Sequence, residues 1–306
     1  MTATPALPGA SMDRELHSQP DVWRAALDLA ERGVFADVTF PGRGASVAVI
    51  GCGTSWFVAQ AYAALREDNG YGPTDAYTPT EMRLGRTYDA YVLISRSGTT
   101  TEVAELIDSL PDGAHTIAVV GVADSPIAHK ATQVIDLGFA DEESVVQTRF
   151  ATTALMALRT TVEDLDYLRG LPASAQAALE EEPEDGLVNA EQYTFLGSRF
   201  ALGLAQEAAL KMRESSQAWT ESYNSMEYRH GPIAIAAPGR IVWALSEVPE
   251  GLADQVAATG ASLITHGEDP LVELVRLHKV ALETSRARGL DADAPRSLTR
   301  SVILDK

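Results

Sequence analysis

Two short apolar segments of the sequence each end in a glycine-containing turn that is rich in hydroxyl side chains. Residues 46–50 (SVAVI) lead into 51–55 (GCGTS), and residues 89–94 (DAYVLI) lead into 95–100 (SRSGTT). The β-branched and aliphatic side chains predict buried strands, and a helical pattern follows each turn. Strands that alternate with helices are typical of a parallel sheet with helices on both faces. The sequence therefore predicts an α/β protein.

The strand–turn–helix pattern restarts in the second half of the chain. Residues 47–60 (VAVIGCGTSWFVAQ) and 193–206 (YTFLGSRFALGLAQ) share a strand, a glycine after it and a helix. We therefore predict a tandem duplication of one α/β unit. The other predicted elements are strands at 116–120, 134–137, 192–196, 241–245 and 262–265, and helices at 101–109, 144–168, 200–217 and 271–288.

Changes in composition suggest where these units begin and end. Residues 1–12 are small, aperiodic and contain proline, so we expect a mobile tail before a helix at about 14–32. A stretch with two prolines and an acidic run lies between the two halves. The predicted domains are a tail and helix at 1–32, a first unit at 33–170, a surface helix and linker at 171–189, and a second unit with a C-terminal tail at 190–306.

The net charge and the cysteine content limit the kinds of molecule that this chain is expected to bind. The chain of 306 residues has 24 Lys and Arg against 43 Asp and Glu, a formal charge of −19. This charge repels nucleic acids and anionic membranes, and no basic patch offsets it. Cys52 is the single cysteine and cannot form an intramolecular disulfide, which favours a reducing compartment. With neither an export-signal pattern nor a long apolar run, we expect a cytoplasmic protein that binds neither membranes nor nucleic acid.

The two hydroxyl-rich turns can bind a phosphate group. Both follow parallel strands, so they lie at the carboxyl edge of the sheet, where helix N-termini and Ser or Thr hydroxyls bind anions without a positive side chain. The alternative is that these residues only cap helices. The turns lack the G-x-G-x-x-G pattern of dinucleotide sites and the Gly-Lys-Ser/Thr of phosphate-binding loops.

A second group of candidate residues lies on the helix predicted at 200–217. Glu207, Lys211 and Glu214 fall within about 60° of one another on a helical projection. Helical spacing alone favours a stripe of ion-paired side chains that faces water. An aromatic-rich loop at 219–223 and a His-Gly-Pro turn at His230 follow, however. A carboxylate, an ammonium and an imidazole are the groups needed to open a sugar ring and move a proton between adjacent carbons.

The remaining cysteine and histidine residues suggest no further chemistry. The other histidines lack the spacing of a metal site, so we expect no bound metal. Cys52 follows a strand, where a thiol could act as a nucleophile. Because no histidine is near it in sequence, we interpret Cys52 as structural.

Taken together, these motifs resemble those of the sugar isomerase (SIS) family. The similarity is greatest to the isomerase half of glucosamine-6-phosphate synthase and to stand-alone amino-sugar-phosphate deaminase/isomerases and fructosamine deglycases. It extends from about residue 46 to 302 and implies two tandem SIS domains, each a flavodoxin-like, doubly wound parallel sheet. The motifs that carry it are GCGTS (51–55), SRSGTT (95–100), QEAALKMRESSQ (206–217), EYRHGP (227–232) and DADAPRSLTRSV (291–302).

The resemblance also implies roles for individual residues. Glu214 matches the base that moves a proton between C1 and C2, and Glu207 and Lys211 match residues that line the sugar and assist. His230 matches an imidazole that promotes ring opening, typically from the neighbouring subunit of a dimer with shared active sites. The residues that match the binding site for the phosphate and nearby sugar hydroxyls are Gly53, Thr54, Ser55, Ser95, Ser97 and Thr100.

Three departures from the family pattern limit this transfer. Arg96 stands where the family usually has Gln, and could add a positive contact to a ligand phosphate or carboxylate. Arg300, which we also expect to contact the ligand, stands where the synthase has a Lys, and a guanidinium cannot form an imine. No cysteine nucleophile of a glutaminase domain precedes residue 46, so we do not expect glutamine to supply nitrogen.

The sequence thus predicts an enzyme that acts on a phosphorylated amino sugar without a metal or redox cofactor. The simplest reaction is conversion of glucosamine-6-phosphate to fructose 6-phosphate and ammonia. One alternative is deglycation of a fructosamine 6-phosphate, with Arg96 recognising a carboxylate of the leaving amine. Others are a non-catalytic sugar-phosphate sensor and an aldose–ketose isomerase without nitrogen chemistry.

Overall fold

The seven predicted strands, together with two that the sequence did not predict, at Thr74–Tyr77 and Thr220–Asn224, form two parallel sheets in the computed structural model, which describes residues 7–304. The first sheet has the order β2-β1-β3-β4-β5 and the second the order β7-β6-β8-β9. The first order is that of flavodoxin-like sheets. The strands are β1 Val47–Ile50, β2 Thr74–Tyr77, β3 Ala90–Ser95, β4 Thr116–Val120, β5 Gln133–Asp136, β6 Gln192–Gly197, β7 Thr220–Asn224, β8 Arg240–Ala244 and β9 Ser262–Ile264.

Helices cover both faces of each sheet, as the alternating pattern predicts. In the first sheet, β1, β3 and β4 are buried along their whole length, which explains their continuous apolar sequences. The helices are α1 Ala10–His17, α2 Gln19–Glu31, α3 Thr54–Asp68, α4 Thr101–Ser109, α5 Pro126–Lys130, α6 Arg149–Arg159, α7 Leu165–Leu168, α8 Leu171–Glu180, α9 Asp185–Val188, α10 Phe200–Ser216, α11 Leu252–Thr259 and α12 Pro270–Ala287. None of the helices within residues 7–304 is both long and apolar enough to cross a membrane.

One continuous core lies between the two sheets. It joins Val47 and Val49 on the inner face of the first sheet to Phe195 and Trp243 of the second, through helices that include α2, α3, α6, α10 and α12. Smaller apolar clusters cover the outer faces, beneath α4 and α5 on one side and α11 on the other. The two units therefore share their largest hydrophobic core.

Helices α3 and α10 cross at a very short distance inside this core. A Cβ atom at Gly203 would lie only 2.6 Å from the Phe57 carbonyl oxygen and 2.7 Å from the Ala61 nitrogen. Only glycine permits this approach of the two backbones. The crossing brings the N-terminal end of α3 beside the middle of α10, which positions the site described below.

Several elements differ from the sequence-based expectations near the N-terminus and between the units. The first helix begins at Ala10 and ends at His17, and a second helix begins at Gln19, instead of one helix from about residue 14. Residues 7–12 are not a tail, since Met12 is buried and the Gly9 amide donates to Asp291 Oδ1 (2.7 Å). Residues 1–6 lie outside the described residues.

Three further segments were assigned the wrong extent or type. The helix predicted over 144–168 begins only at Arg149, because a loop stabilised by the Glu142 side chain precedes it, and α7 forms separately. Within the stretch expected to be a surface helix and linker, α8 packs on α2 and α12 with Leu171 and Leu179 buried. The aromatic-rich loop at 219–223 belongs largely to edge strand β7, which pairs with β6.

Candidate active site

A cavity of about 240 Å³ opens at the carboxyl ends of β1 and β3. These two strands are neighbours, but α3 after β1 lies on the inner face of the sheet and α4 after β3 on the outer face. Such a reversal of winding leaves a crevice, the usual place for a ligand in parallel α/β sheets. The cavity wall consists of residues 52–54, Arg96, Thr100, Val145, Gln147, Lys211, Glu214 and 298–302.

The hydroxyl-rich turns contribute to the wall of this cavity. Gly53 has φ 54° and ψ −125° at the start of α3, and Gly53, Thr54 and Thr100 line the wall. The Ser95 hydroxyl lies 3.3 Å from Thr100 Oγ1 and accepts a hydrogen bond from the Gly98 amide (3.2 Å). The turns thus concentrate backbone N–H and hydroxyl groups at helix N-termini, an arrangement suited to an anion.

The other predicted members of these turns lie behind the wall. Ser55 and Ser95 are buried and do not line the cavity. The Ser97 hydroxyl donates to Ser301 Oγ (3.1 Å) and accepts from the Thr99 amide (3.2 Å). Their predicted contacts with a ligand remain predictions.

The charged stripe of α10 faces the first unit instead of water. Glu207 and Lys211 are completely buried, and Glu214 is half-buried at the cavity wall. Lys211 Nζ donates to Glu214 Oε2 (2.5 Å) and to Thr54 Oγ1 (3.0 Å) and lies 3.4 Å from Glu207 Oε1. The Thr54 hydroxyl donates to Glu207 Oε1 (3.2 Å). The water-facing interpretation of helical spacing is therefore wrong, because α3 covers this stripe.

Burial and mutual charge shift the pKa values of this group. Burial raises the pKa of Glu207 to about 7, and the Glu214 carboxylate adds to this while Lys211 opposes it. Burial would lower the pKa of Lys211, but Glu207 and Glu214 outweigh that effect and raise it. Lys211 is therefore a permanent ammonium ion paired with Glu214. Glu207 keeps its proton up to near neutral pH.

His230 lies away from this group. It follows a short 3-10 turn at Glu227–Arg229, its side chain is exposed, and it is not among the residues that line the cavity. Gly231, with φ 126°, supports the predicted tight turn at this position. Within one chain, the imidazole is therefore separate from Lys211 and Glu214.

The two arginines that depart from the family pattern line the cavity but bind protein groups. Arg96 donates to the carbonyl oxygens of Ser144 (2.7 Å) and Arg300 (2.9 Å). The Arg300 guanidinium binds both carboxylate oxygens of Asp141, at 2.5 and 2.6 Å. The expected contacts of both side chains with a ligand remain predictions, and the structure gives each of them a different partner.

Sequence reasoning missed the loop at 141–147 and most of the C-terminal segment. Val145 and Gln147 line the cavity, and Gln147 Oε1 is buried without a hydrogen-bond partner. A buried amide oxygen of this kind can accept a hydrogen bond from a ligand hydroxyl. No local signal marks these residues, since only the fold brings the loop to the sheet edge.

The thiol of Cys52 is unsuited to nucleophilic chemistry. Burial and the nearby Glu102 carboxylate raise its pKa to about 12, so that it is protonated at neutral pH. Across the part of the chain that the structure describes, no group of three or more His, Cys, Asp or Glu side chains could hold a metal ion.

Comparisons with known proteins find sequence and fold similarity to sugar-phosphate enzymes. The SIS domain model matches residues 44–163. A glutamine–fructose-6-phosphate aminotransferase (isomerizing) from Methanothermobacter thermautotrophicus is 27% identical over 345 residues, covering 96% of this chain and 57% of that protein. The chain therefore spans somewhat more than half the length of this curated relative.

Two solved structures share the fold of nearly the whole chain. Glucosamine-6-phosphate deaminase from Thermotoga maritima has a TM-score of 0.81 at 20% identity, covering 96% of this chain and 100% of that one. The C-terminal domain of glucosamine-fructose-6-phosphate aminotransferase from Francisella tularensis has a TM-score of 0.77 at 20% identity, covering 93% and 98%. Residues 44–163 thus match the SIS domain model, and the chain as a whole resembles the isomerase half of glucosamine-6-phosphate synthase.

Proposed function

We propose that this protein is an amino-sugar-phosphate deaminase/isomerase. Its simplest reaction is glucosamine-6-phosphate plus water to fructose 6-phosphate plus ammonia. The observation that carries the proposal is the Lys211–Glu214 ion pair, which lines the same cavity as the hydroxyl and N–H groups of the two turns. The turns are suited to a phosphate, and Glu214 offers a carboxylate for proton transfer.

The second unit has the same strand order as the first four strands of the first unit. We propose that residues 190–306 form a second SIS domain, on the ground that β7-β6-β8-β9 repeats the order of β2-β1-β3-β4. The relative from Methanothermobacter, which aligns with 96% of this chain, also supports this assignment.

The turns would bind the phosphate group of the substrate. Thr100 and the backbone amides at the start of α3, including that of Thr54, would donate to its oxygens, with Ser55, Ser95 and Ser97 supporting them. The sugar would then extend towards α10. Gln147 would accept a hydrogen bond from a sugar hydroxyl through its unpaired Oε1.

Glu214 would move the proton that interconverts the two sugars. In the open chain, its carboxylate removes the proton from C2 and returns it to C1, while the aldehyde oxygen gains a proton and the C2 amine loses one, so that an aldehyde with a C2 amine becomes an alcohol with a C2 imine. Water then adds to C2, and ammonia leaves. Lys211 holds Glu214 in place and supplies positive charge near the developing enolamine oxygen, while Glu207 and Thr54 fix Lys211.

Ring opening would be assisted by His230 from a second copy of the chain. The exposed position of this side chain, away from its own cavity, suits a residue that reaches into a neighbouring subunit. We therefore propose a homodimer with shared active sites.

Arg300 is compatible with this reaction although it cannot form an imine. The imine in the proposed scheme forms from the nitrogen of the substrate itself, so no lysine of the protein is needed. The fructosamine alternative has weaker support, because the carboxylate contact expected of Arg96 is replaced by backbone carbonyl groups. A pure sensor would not need the buried charge pair.

A panel assay tests the proposal. The purified protein is incubated with glucosamine-6-phosphate, galactosamine-6-phosphate and fructosamine 6-phosphates, and release of ammonia or amine is measured. Glu214→Gln should lower turnover by about a thousandfold and leave ligand binding intact, while Glu180→Gln, on the exposed side of α8, should change neither. Undiminished turnover in Glu214→Gln contradicts the assignment. Thermal stabilisation by these sugars without any release would indicate a binding protein or a nitrogen-free isomerase.

A further inference from the structure

We propose that Arg96 is a positioning residue that fixes the C-terminal tail, residues 298–304, over the cavity, and that it is not a contact for the substrate phosphate. The inference rests on the proposed function only in taking this cavity as the substrate site. Each terminal nitrogen of Arg96, which the sequence suggests as a contact for a ligand, has a hydrogen-bond partner within the protein.

The guanidinium of Arg96 joins two segments that are far apart in sequence. Nη1 donates to the Ser144 carbonyl (2.7 Å), and Nη2 donates to the carbonyl oxygens of Val145 (3.3 Å) and Arg300 (2.9 Å). The side chain is 1% exposed, and the buried Glu142 carboxylate lies 3.9 Å away as its counter-charge. The planar guanidinium presents several donors in fixed directions, which suits it to bridging two backbone segments.

The loop at 141–147, to which Arg96 is hydrogen-bonded, is itself fixed to the rest of the protein. The Glu142 carboxylate accepts hydrogen bonds from the Thr148 and Arg149 amides at the start of α6 (2.6 and 2.9 Å). From the other side, Glu15 of α1 accepts from the Glu143 and Ser144 amides (2.5 and 3.2 Å). The 141–147 loop is therefore a rigid anchor, and the tail is the segment that it holds.

The tail closes over the cavity by polar contacts. Its Ser301 hydroxyl lies 3.0 Å from Thr99 Oγ1, the Val302 carbonyl accepts from the Thr101 amide (3.3 Å), and the Leu304 amide donates to Thr101 Oγ1 (3.0 Å). By contrast, Val302, Ile303 and Leu304 are 52%, 66% and 54% exposed. Since little apolar area is buried here, hydrogen bonds must hold the tail in place.

Two further hydrogen-bonded links hold the tail, and both involve arginine side chains. Arg96 holds the tail by its backbone at residue 300, and the side chain of that same residue, Arg300, binds Asp141 and the Glu142 carbonyl in the anchoring loop. The Nε of Arg96 is buried and has no hydrogen-bond partner. An anion contact through Nε is the opposing interpretation, and the experiment below separates the two.

Limited proteolysis of the ligand-free protein tests the proposal. Trypsin cleavage after Arg300 releases the peptide that begins at Ser301, which mass spectrometry follows with time. Arg96→Gln should increase this rate about tenfold, because cleavage follows the population of the open tail and the lost hydrogen bonds hold it closed. Cleavage after Arg83 and Arg86, in an exposed loop remote in sequence from the tail, reports general loosening and should stay unchanged.

Binding of inorganic phosphate, measured by calorimetry, provides the second readout. It should change less than about twofold in Arg96→Gln, since the turns and not Arg96 bind the anion. An unchanged rate of tail release overturns the proposal. So does a roughly tenfold loss of phosphate affinity with the tail still protected, which identifies Arg96 as an anion contact.

A second variant keeps the test valid if Arg96→Gln does not fold. Asp141→Asn removes the half-exposed carboxylate that binds Arg300 and leaves Arg96 in place. It should raise tail release by about threefold, with cleavage at Arg83 and Arg86 unaffected. Unchanged release in this variant contradicts the proposed anchor. Because no readout depends on turnover, a failure here is distinct from a failure of the proposed reaction.

Discussion

The turn that follows β1 and the turn that follows β6 have the same backbone conformation but different side chains. Gly53 has φ 54° and ψ −125°, and Arg199, at the matching position, has φ 53° and ψ −121°. The first glycine of each turn lies against the helix that follows. A Cβ atom added at Gly51 would be 2.6 Å from the Ser55 carbonyl carbon, and one added at Gly197 would be 2.2 Å from the Ala201 carbonyl oxygen. The two units therefore share this local geometry as well as their strand order.

The side chains after the two turns separate their roles. The first helix begins with Thr54 and Ser55, the second with Phe200 and Ala201. The first turn lines the cavity, whereas the second contributes nothing to it, and its Arg199 forms a surface ion pair with Asp68 (2.7 Å). A strand–turn–helix backbone is thus insufficient for a site. The second unit contributes instead through the middle of α10, with Lys211 and Glu214.

Replacing Glu207, which is buried where the two units meet, should have the largest effect on the unfolding free energy. Its pKa is raised from 4.5 to about 7 in the folded protein, so the native state binds the extra proton. The stability that this group contributes is complete below pH 4.5 and is lost as the pH rises towards 7. Relative to the wild type, Glu207→Gln should therefore gain about 2 kcal/mol of unfolding free energy between pH 5.5 and pH 8.

Urea unfolding of both proteins at several pH values measures this difference. Other titrating groups, such as Glu15 with a pKa raised by burial to about 6, cancel when the two proteins are compared. The pH range also stays above the pI of about 4.6. A difference that is constant across the range means that Glu207 titrates normally and that the two units do not bury it as described.

The hydroxyl of the first turn should matter more than that of the second. Thr54 donates to Glu207 and accepts from Lys211, so Thr54→Val leaves two buried polar side chains each short of one partner. We expect a loss of about 1.5 kcal/mol in unfolding free energy. Ser198→Ala, which removes the hydroxyl group of the second turn, should cost less than about 0.5 kcal/mol. Equal costs would remove the contrast between the turns.

Local patterns were sufficient for most of the secondary structure. The helix at 101–109 and the strand at 116–120 have the predicted bounds, because a hydroxyl-rich turn and a continuous apolar run mark them. Strand β7 was missed because all five of its residues are only half-buried at a sheet edge, which gives no alternation to detect. The division of the first helix at Ser18 likewise has no periodic signal.

The site was harder to predict, because its contacts depend on the fold. The sequence placed Glu207, Lys211 and Glu214 on one stripe but could not show whether water or another helix faces it. Only the crossing at Gly203 determines that α3 does. The partners of Arg96 and Arg300 are separated from them by 48 to 204 residues, so no local pattern indicates them.

The shared backbone conformation of the two turns leads to the final prediction, which has the smallest expected effect on stability. A conformation near φ 54°, ψ −125° is accessible to glycine and strained for any residue with a Cβ atom. A Cβ atom added at Gly53 would meet no other atom within 4 Å, so Gly53→Ala reports backbone strain without a clash. At position 199, Arg199→Ala removes the ion pair with Asp68 and keeps the strain, while Arg199→Gly removes both.

If the turns are equivalent, glycine should be preferred over alanine by the same amount at both positions. We expect about 1 kcal/mol, since the strain released exceeds the entropy that glycine adds to the unfolded chain. Arg199→Ala itself should be nearly neutral, because the ion pair with Asp68 is exposed. Unfolding free energies of the three variants and the wild type decide the matter. A preference at Gly53 without one at Arg199 would mean that the second turn relaxes, and that the common backbone reflects packing of α10 and not the turn itself.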